Sequence, residues 1–252
     1  MTIRLTIEGR VARLTIDRAV KRNALDQAMW LAIPALVAEA VAGARVLIVE
    51  GAPGGVFSAG ADIGEFATGS RDPDWRAANQ AAIRAAMTAI AEAPIPTIAL
   101  IEGDCIGGGC GLALACDVRI AGPKGRFGVT PAQLGLVYSL EDTRRLVEAV
   151  GLAQARRILF TGALIDCTEA ARIGLVTIPS DDPRATTDAV AADILATSGH
   201  SQREGKAMVA RVSAGQRDDD DTTKKLFEQA FSLPDFAEGS AAFLERRPAD
   251  FA

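Results

Sequence analysis

ALIEGDCIGGGCGLALACDVR, residues 99–119, is the stretch around which the rest of the chain is organised. The apolar, β-favouring run 97–101 stops at Glu102-Gly103. Gly107, Gly108 and Gly109 follow, and then residues 110–116 form a small-residue segment with helical character. Three consecutive glycines carry an entropic cost, so the fold must need bare main chain there. Two requirements would explain it. One is a ligand held close to the free N–H groups of a helix start, where the helix dipole also favours negative charge. The other is tight packing of helix on strand.

A second glycine-bearing stretch lies upstream. Residues 46–50 (VLIVE) read as a buried strand, followed by Gly51, Pro53, Gly54 and Gly55 and then by Phe57-Ser58-Ala59-Gly60-Ala61-Asp62. Strand, glycine turn and helix start thus occur twice. Two such turns can each direct one N–H to a single oxygen, which is an oxyanion hole.

With both stretches in hand, F-S-A-G-A-D-I (57–63) and G-G-G-C-G-L-A-L-A-C-D (107–117) resemble the crotonase (enoyl-CoA hydratase/isomerase) superfamily. The resemblance extends over nearly the whole chain, through K-R-N-A-L-D (21–26), F-G-V-T-P-A-Q-L-G-L (127–136), L-F-T-G (159–162), A-R-I-G-L-V (171–176) and A-F-L-E-R-R (242–247). It implies an α/β fold: a crotonase-type spiral of repeated ββα units with a C-terminal helical region that builds trimers, often hexamers. The division it implies is a core over 1–195 and a helical region over 196–252. It also implies an acyl-CoA thioester substrate, with coenzyme A as part of that substrate and no permanently bound cofactor.

Carried over position by position, the family's two oxyanion donors fall on Ala61 and Gly108. Chemistry beside a thioester passes through an enolate, whose oxygen needs fixed donors in a dry site. The coenzyme is expected along Ala24, Ala59, Ala61, Asp62 and Ile63, with Lys21, Arg22 and Arg246 at positions that approach its phosphates. One departure is Gly64, where the family often has Lys. Asp62 is more often structural in the family.

A larger departure concerns acid–base chemistry. The family's hydratases use two glutamates, and those positions here are Gly111 and Pro131. Neither can shuttle a proton, so two-glutamate hydration is not expected. T-P-A-Q-L-G-L-V-Y (130–138) is similar to a stretch of the methylmalonyl-CoA decarboxylase branch whose tyrosine lines the acyl pocket. Tyr138, the single tyrosine of the chain, is therefore a candidate to bind a carboxylate or enolate, or else an amphipathic wall. Glu141 and Asp142 fall where family isomerases and dehalogenases place acids, though a helix start with Arg144 and Arg145 nearby also favours them. Glu141 is the preferred base, because Asp142 is the better cap. The expectation is a lyase or isomerase of fatty acid metabolism that stabilises an enolate, with isomerisation or decarboxylation favoured. The alternatives are a non-catalytic acyl-CoA binding homologue and a hydratase with other acid–base residues.

Composition sets outer bounds. At 252 residues, 49% hydrophobic and 23% charged, the chain is ordinary globular material. A net charge of −5 argues against general nucleic-acid or membrane-surface binding. Cys105, Cys110, Cys116 and Cys167 form no C-x-x-C pair and His200 is the one histidine, so no metal site is expected. Three of the thiols lie in apolar sequence and read as buried, and Cys110 has no neighbour in sequence that would activate it. With no signal core at the N-terminus, a cytoplasmic enzyme is expected. No G-x-G-x-x-G or G-x-x-x-x-G-K-[ST] occurs, which disfavours a nucleotide-dependent oxidoreductase.

For local structure, the patterns predict a hairpin over 3–7 and 11–16, a helix over 26–41 interrupted at Pro34, and a polar surface loop over 68–74. A helix over 75–92 and a strand near 118–121 follow. Residues 127–138 are expected to be irregular, and helices are expected over 140–150, 153–160 and 168–173. A last strand is expected over 175–178, then helices over 184–198, 201–214, 219–232 and 235–246. The aspartates 218–221 read as a helix start rather than a metal site.

Overall fold

The computed structural model describes residues 3–53 and 55–251, so Gly54 of the first glycine turn lies outside the described residues. β1 (Ile3–Glu8) and β2 (Val11–Ile16) form the predicted hairpin, with Glu8 opposite Val11 and Gly9 in the turn at φ +59°. From β2 the chain crosses through α1 (Gln27–Gly43) to β3 (Val46–Gly51). It then crosses through α2 (Ile63–Gly69) and α3 (Pro73–Ala91) to β4 (Thr97–Ile101). β3 and β4 are buried along their whole length and lie parallel, as continuous apolar runs do when helices cover both faces.

β5 (Cys105–Ile106), α4 (Gly108–Ala115), β6 (Val118–Ala121) and β7 (Arg126–Gly128) follow, and then a 3₁₀ turn over Pro131–Leu134. α5 (Leu140–Thr161), β8 (Ile165–Asp166), α6 (Cys167–Arg172), β9 (Ile178–Pro179) and α7 (Pro183–Leu195) complete the α/β part. The strands make a six-stranded sheet, β1-β2-β3-β4-β6-β9, parallel apart from its first pair, and a three-stranded sheet, β5-β7-β8. α8 (Gly199–Ser213), α9 (Asp221–Ala230) and α10 (Pro234–Glu245) end the chain.

Several boundaries differ from the sequence patterns for identifiable reasons. α1 runs through Pro34, whose missing N–H costs one ladder bond that burial of Met29, Trp30, Ile33 and Val37 on one face offsets. Most of 68–74 is not loop: Thr68 and Gly69 close α2, and Asp72 caps α3 by accepting from the Asp74 N–H at 2.9 Å. The two helices expected over 140–150 and 153–160 both form within α5, separated at Gly151, whose φ +73° and ψ 162° are not helical. Strand pairing near 175 is confined to Ile178–Pro179, while Leu175 and Val176 are buried as core contacts outside the sheet. β5 and β8 are too short to leave a period-2 signal. The aspartate run does start a helix, with Asp220 capping α9.

Candidate active site

The two glycine turns are bound to each other by main chain. The Ser58 N–H donates to Asp104 O at 3.1 Å, and the Ile106 N–H donates to Ser58 O at 2.9 Å. Ser58, fully buried, donates its hydroxyl to Asn23 O (2.8 Å) and accepts from the Gly60 N–H (3.1 Å). On the other side, residues 22–25 run alongside 59–62: Ala59 N donates to Arg22 O, Leu25 N to Gly60 O, and Asp62 N to Leu25 O, all at 2.8–3.0 Å. These contacts bring three sequence-distant motifs, 21–26, 57–63 and 104–109, into one cluster.

The triple glycine divides into three different requirements. Gly107 has φ +57° and ψ −120°, a conformation closed to residues with a Cβ. Gly109 is a packing position, since a Cβ there would lie 2.3 Å from Ser58 O. Gly108 is neither, because a Cβ on it would meet its neighbours at an ordinary 3.5 Å. What Gly108 contributes is its N–H, at the first position of α4, where no intrahelical acceptor exists.

One of those neighbours is the Ala61 nitrogen, 3.5 Å from the Cβ position of Gly108. Standard bond lengths put that position about 2.5 Å from the Gly108 nitrogen, so the two nitrogens are at most about 6 Å apart. One oxygen about 3 Å from each can span that gap. Among the described residues, neither N–H is donated to a protein acceptor. Both residues are partly exposed, while Gly60 and Gly109 behind them are buried.

The remaining expected residues divide into three groups. Ala24, Ala59, Asp62 and Ile63 lie in the same cluster, with Ala24 and Asp62 buried and Ile63 about half exposed (52%). Asp62 is structural: it accepts from the Gly64 N–H (2.9 Å) to cap α2 and pairs with Arg18 (2.8 Å). Its burial opposes ionisation, but those bonds outweigh it and hold the carboxyl below the usual range. The Lys21 Nζ lies 3.8 Å from Asp62 and 3.9 Å from where Gly64 would carry a Cβ, so its ammonium stands beside the position where the family often has Lys. Arg22 and Arg126 both bind Asp104, and the fork from Arg126 outweighs burial and holds that carboxyl below its usual range. Arg246 sits exposed at the C-cap of α10, with no hydrogen bond or ion pair to the cluster among the described residues.

Gly111 lies one turn into α4, and a Cβ there would approach Met87 Cε at 2.9 Å and the Tyr138 hydroxyl at 3.2 Å. Met87 and the phenol fill the space that a larger side chain at 111 would need. The Tyr138 hydroxyl is buried and has no hydrogen-bond partner among the described residues. Burial, reinforced by the nearby Cys110 and Asp142, pushes the phenol well above its ordinary range. Tyr138 is therefore a neutral donor lacking an acceptor. Leaving such a group unpaired costs about 1–3 kcal/mol, which a ligand oxygen would recover.

Asp142 is not the cap of α5, contrary to the sequence expectation. Ser139 holds that place, accepting from the Asp142 N–H and donating to its carboxylate at 2.7 Å. Arg145 pairs with Asp142 at 3.1 Å, whereas Arg144 pairs with Glu148. Glu141 is left exposed and unpaired among the described residues. It lines a cleft of about 340 Å³ between α3 and the start of α5, together with Gln80, Arg84, Met87 and Ser139. Pro131 opens a 3₁₀ turn and offers no acid. The four thiols are buried, with Cys116 pushed up to about 12 chiefly by desolvation.

Three residues at this site were not anticipated. Trp30 packs its ring edge 3.5 Å from the Gly108 Cβ position, and its indole N–H is buried without a partner among the described residues. Met87 and Arg84 come from α3, whose alanine-rich sequence carries no motif. A further cavity of about 690 Å³ lies apart among α8, α9 and α10 and contains none of the expected site residues.

This arrangement, helices crossing over a parallel sheet with two main-chain turns locked side by side, is the crotonase fold. The chain belongs to the enoyl-CoA hydratase/isomerase family, whose profile matches residues 6–252. It is 33% identical over 255 residues to a Mycobacterium tuberculosis protein named "Probable enoyl-CoA hydratase echA8", covering 99% of this chain and 97% of that one. To the rat mitochondrial methylglutaconyl-CoA hydratase it is 31% identical, over 93% of this chain and 77% of the relative. A solved enoyl-CoA hydratase/isomerase family structure from Hyphomonas neptunium superposes with a TM-score of 0.96 at 41% identity, covering 100% of this chain and 98% of that one. Among the described residues, no helix is long and apolar enough to cross a membrane.

Proposed function

We propose that the protein binds an acyl-CoA thioester with its carbonyl oxygen between the Ala61 and Gly108 amides and catalyses a reaction through the thioester enolate. The observation that carries this reading is the pair of adjacent, unconsumed N–H groups at the mouths of two interlocked turns. Charge that grows on the oxygen meets donors already in place, each worth about 3–4 kcal/mol of barrier. Coenzyme A runs along Ala24, Ala59, Asp62 and Ile63, and the ammonium of Lys21, 3.8 Å from Asp62, and the guanidinium of Arg22, paired with Asp104, stand on the same side as cationic contacts for phosphate.

Isomerisation or decarboxylation fits the acyl pocket better than hydration, because Gly111 and Pro131 supply no acid–base pair. In a decarboxylation the electron pair of the Cα–carboxylate bond passes into the enolate as CO₂ leaves, and no protein base is needed. In an isomerisation Glu141 takes a proton from one carbon and returns it to another. The neutral Tyr138 phenol donates to the anionic intermediate in either case. Hydration is the second reading, favoured by the names of the relatives, with Glu141 and Tyr138 in place of the usual glutamates. We assign residues 196–252 to self-association as a homotrimer or hexamer, since α9, α10 and the turn between them expose Phe227, Phe231, Phe236 and Phe243, and place the enzyme in the cytoplasm.

Incubation in D₂O with an α,β-unsaturated, a β,γ-unsaturated and a malonyl-type acyl-CoA separates these readings. The expected result is deuterium at Cα with a migrated double bond or loss of CO₂, and no water added to the α,β-enoyl thioester. Rapid hydration supports the second reading. Tight binding with neither exchange nor turnover identifies a non-catalytic binding protein instead.

A further inference from the structure

α3 presents Gln80, Arg84 and Met87 to one cleft, at the spacing that places side chains on a single helix face. Met87 is the wall this cleft shares with the acyl site, its Cε lying 2.9 Å from the Cβ position of Gly111. At 1.5 Å of rise per residue, Arg84 stands about 4.5 Å further along the helix from Met87. Across the cleft are Ser139 and Glu141 at the start of α5. Arg84 makes no ion pair or hydrogen bond with any described residue, and neither does Glu141. Asp142, the other acid of the lining, is already neutralised by Arg145.

A cleft for a plain hydrocarbon tail has no use for an unpaired guanidinium. Arginine's planar fork matches a carboxylate with two parallel, charge-assisted hydrogen bonds. The Tyr138 hydroxyl, buried without a partner among the described residues, lies against Gly111, the position that Met87 also touches. We propose that Arg84 is a specificity-determining residue that binds a carboxylate at the far end of the acyl group. The substrate class is then the monothioester of a short dicarboxylic acid, with the carboxylate a few carbons from the thioester. Glu141, facing the same space, sets a limit on that preference by repulsion. This inference rests on the acyl-CoA reading above.

The test compares binding of glutaryl-CoA, pentanoyl-CoA and free CoA to the full-length protein by calorimetry. The two thioesters share a chain length and differ in the terminal carboxylate. The wild type is expected to bind glutaryl-CoA about tenfold more tightly than pentanoyl-CoA. Arg84→Gln is expected to bring that ratio to about one, and Glu141→Gln to raise it. Equal affinities in the wild type, or a ratio that survives in Arg84→Gln, would overturn the assignment while leaving the acyl-CoA reading intact. Failure of all three ligands to bind would overturn both.

Discussion

Gly108→Pro is expected to lower kcat on an acyl-CoA substrate by about 10²–10³-fold while leaving the protein folded. Proline replaces this N–H with a ring methylene, so it removes the donor and crowds the oxygen that the donor would hold. Gly108 is the first residue of α4, the helical position that tolerates proline best, and its N–H has no acceptor among the described residues. A Cβ there meets nothing closer than 3.5 Å. Losing one of two oxyanion donors costs about 3–4 kcal/mol in the transition state, so the effect should fall on kcat more than on coenzyme affinity. Steady-state kinetics with a thermal melt check this. A folded variant with unaltered kcat would show that the amide takes no part in the reaction.

Gly60→Ala is expected to destabilise the fold by more than about 2 kcal/mol and to abolish activity together with it. Gly60 has φ +91°, where a Cβ is strained by about 1–3 kcal/mol. The added atom would also lie 2.7 Å from the Gly108 nitrogen and 2.9 Å from Ile106 O, both backbone atoms that cannot turn aside. One turn must therefore move away from the other, and the two amides separate. Gly135→Ala is the control: its φ is +68° but a Cβ there meets nothing within 4 Å, so it carries the backbone penalty alone. Urea unfolding of both variants isolates the collision. Equal losses in the two would mean that the turns are not in rigid contact.

The division between what the sequence carries and what it does not follows the range of the interactions. Glycines 107–109 could be read as a turn beside a buried strand because a local pattern encodes them. Which of the three serves backbone conformation, packing or donation depends on Ser58, about fifty residues away in the chain, and needed the fold. Ala61 and Gly108 were identifiable through two motifs recognised together. Trp30, Arg84 and Met87 were not, because each is one residue on a helix face whose meaning comes from what packs against it. Asp142 was misread as a cap for the same reason in miniature: Ser139, three residues earlier, competes for that role and has the better geometry. Pro34 misled in the opposite direction, since a local breaker was overridden by the burial of a whole helix face.

The central claim is that two main-chain amides share one thioester oxygen, and a crystal structure with a saturated acyl-CoA bound tests it most directly. The account predicts that oxygen about 3 Å from both the Ala61 and the Gly108 nitrogen. A bound thioester whose oxygen instead faces solvent or a side chain, or reaches only one of the two nitrogens, would contradict it.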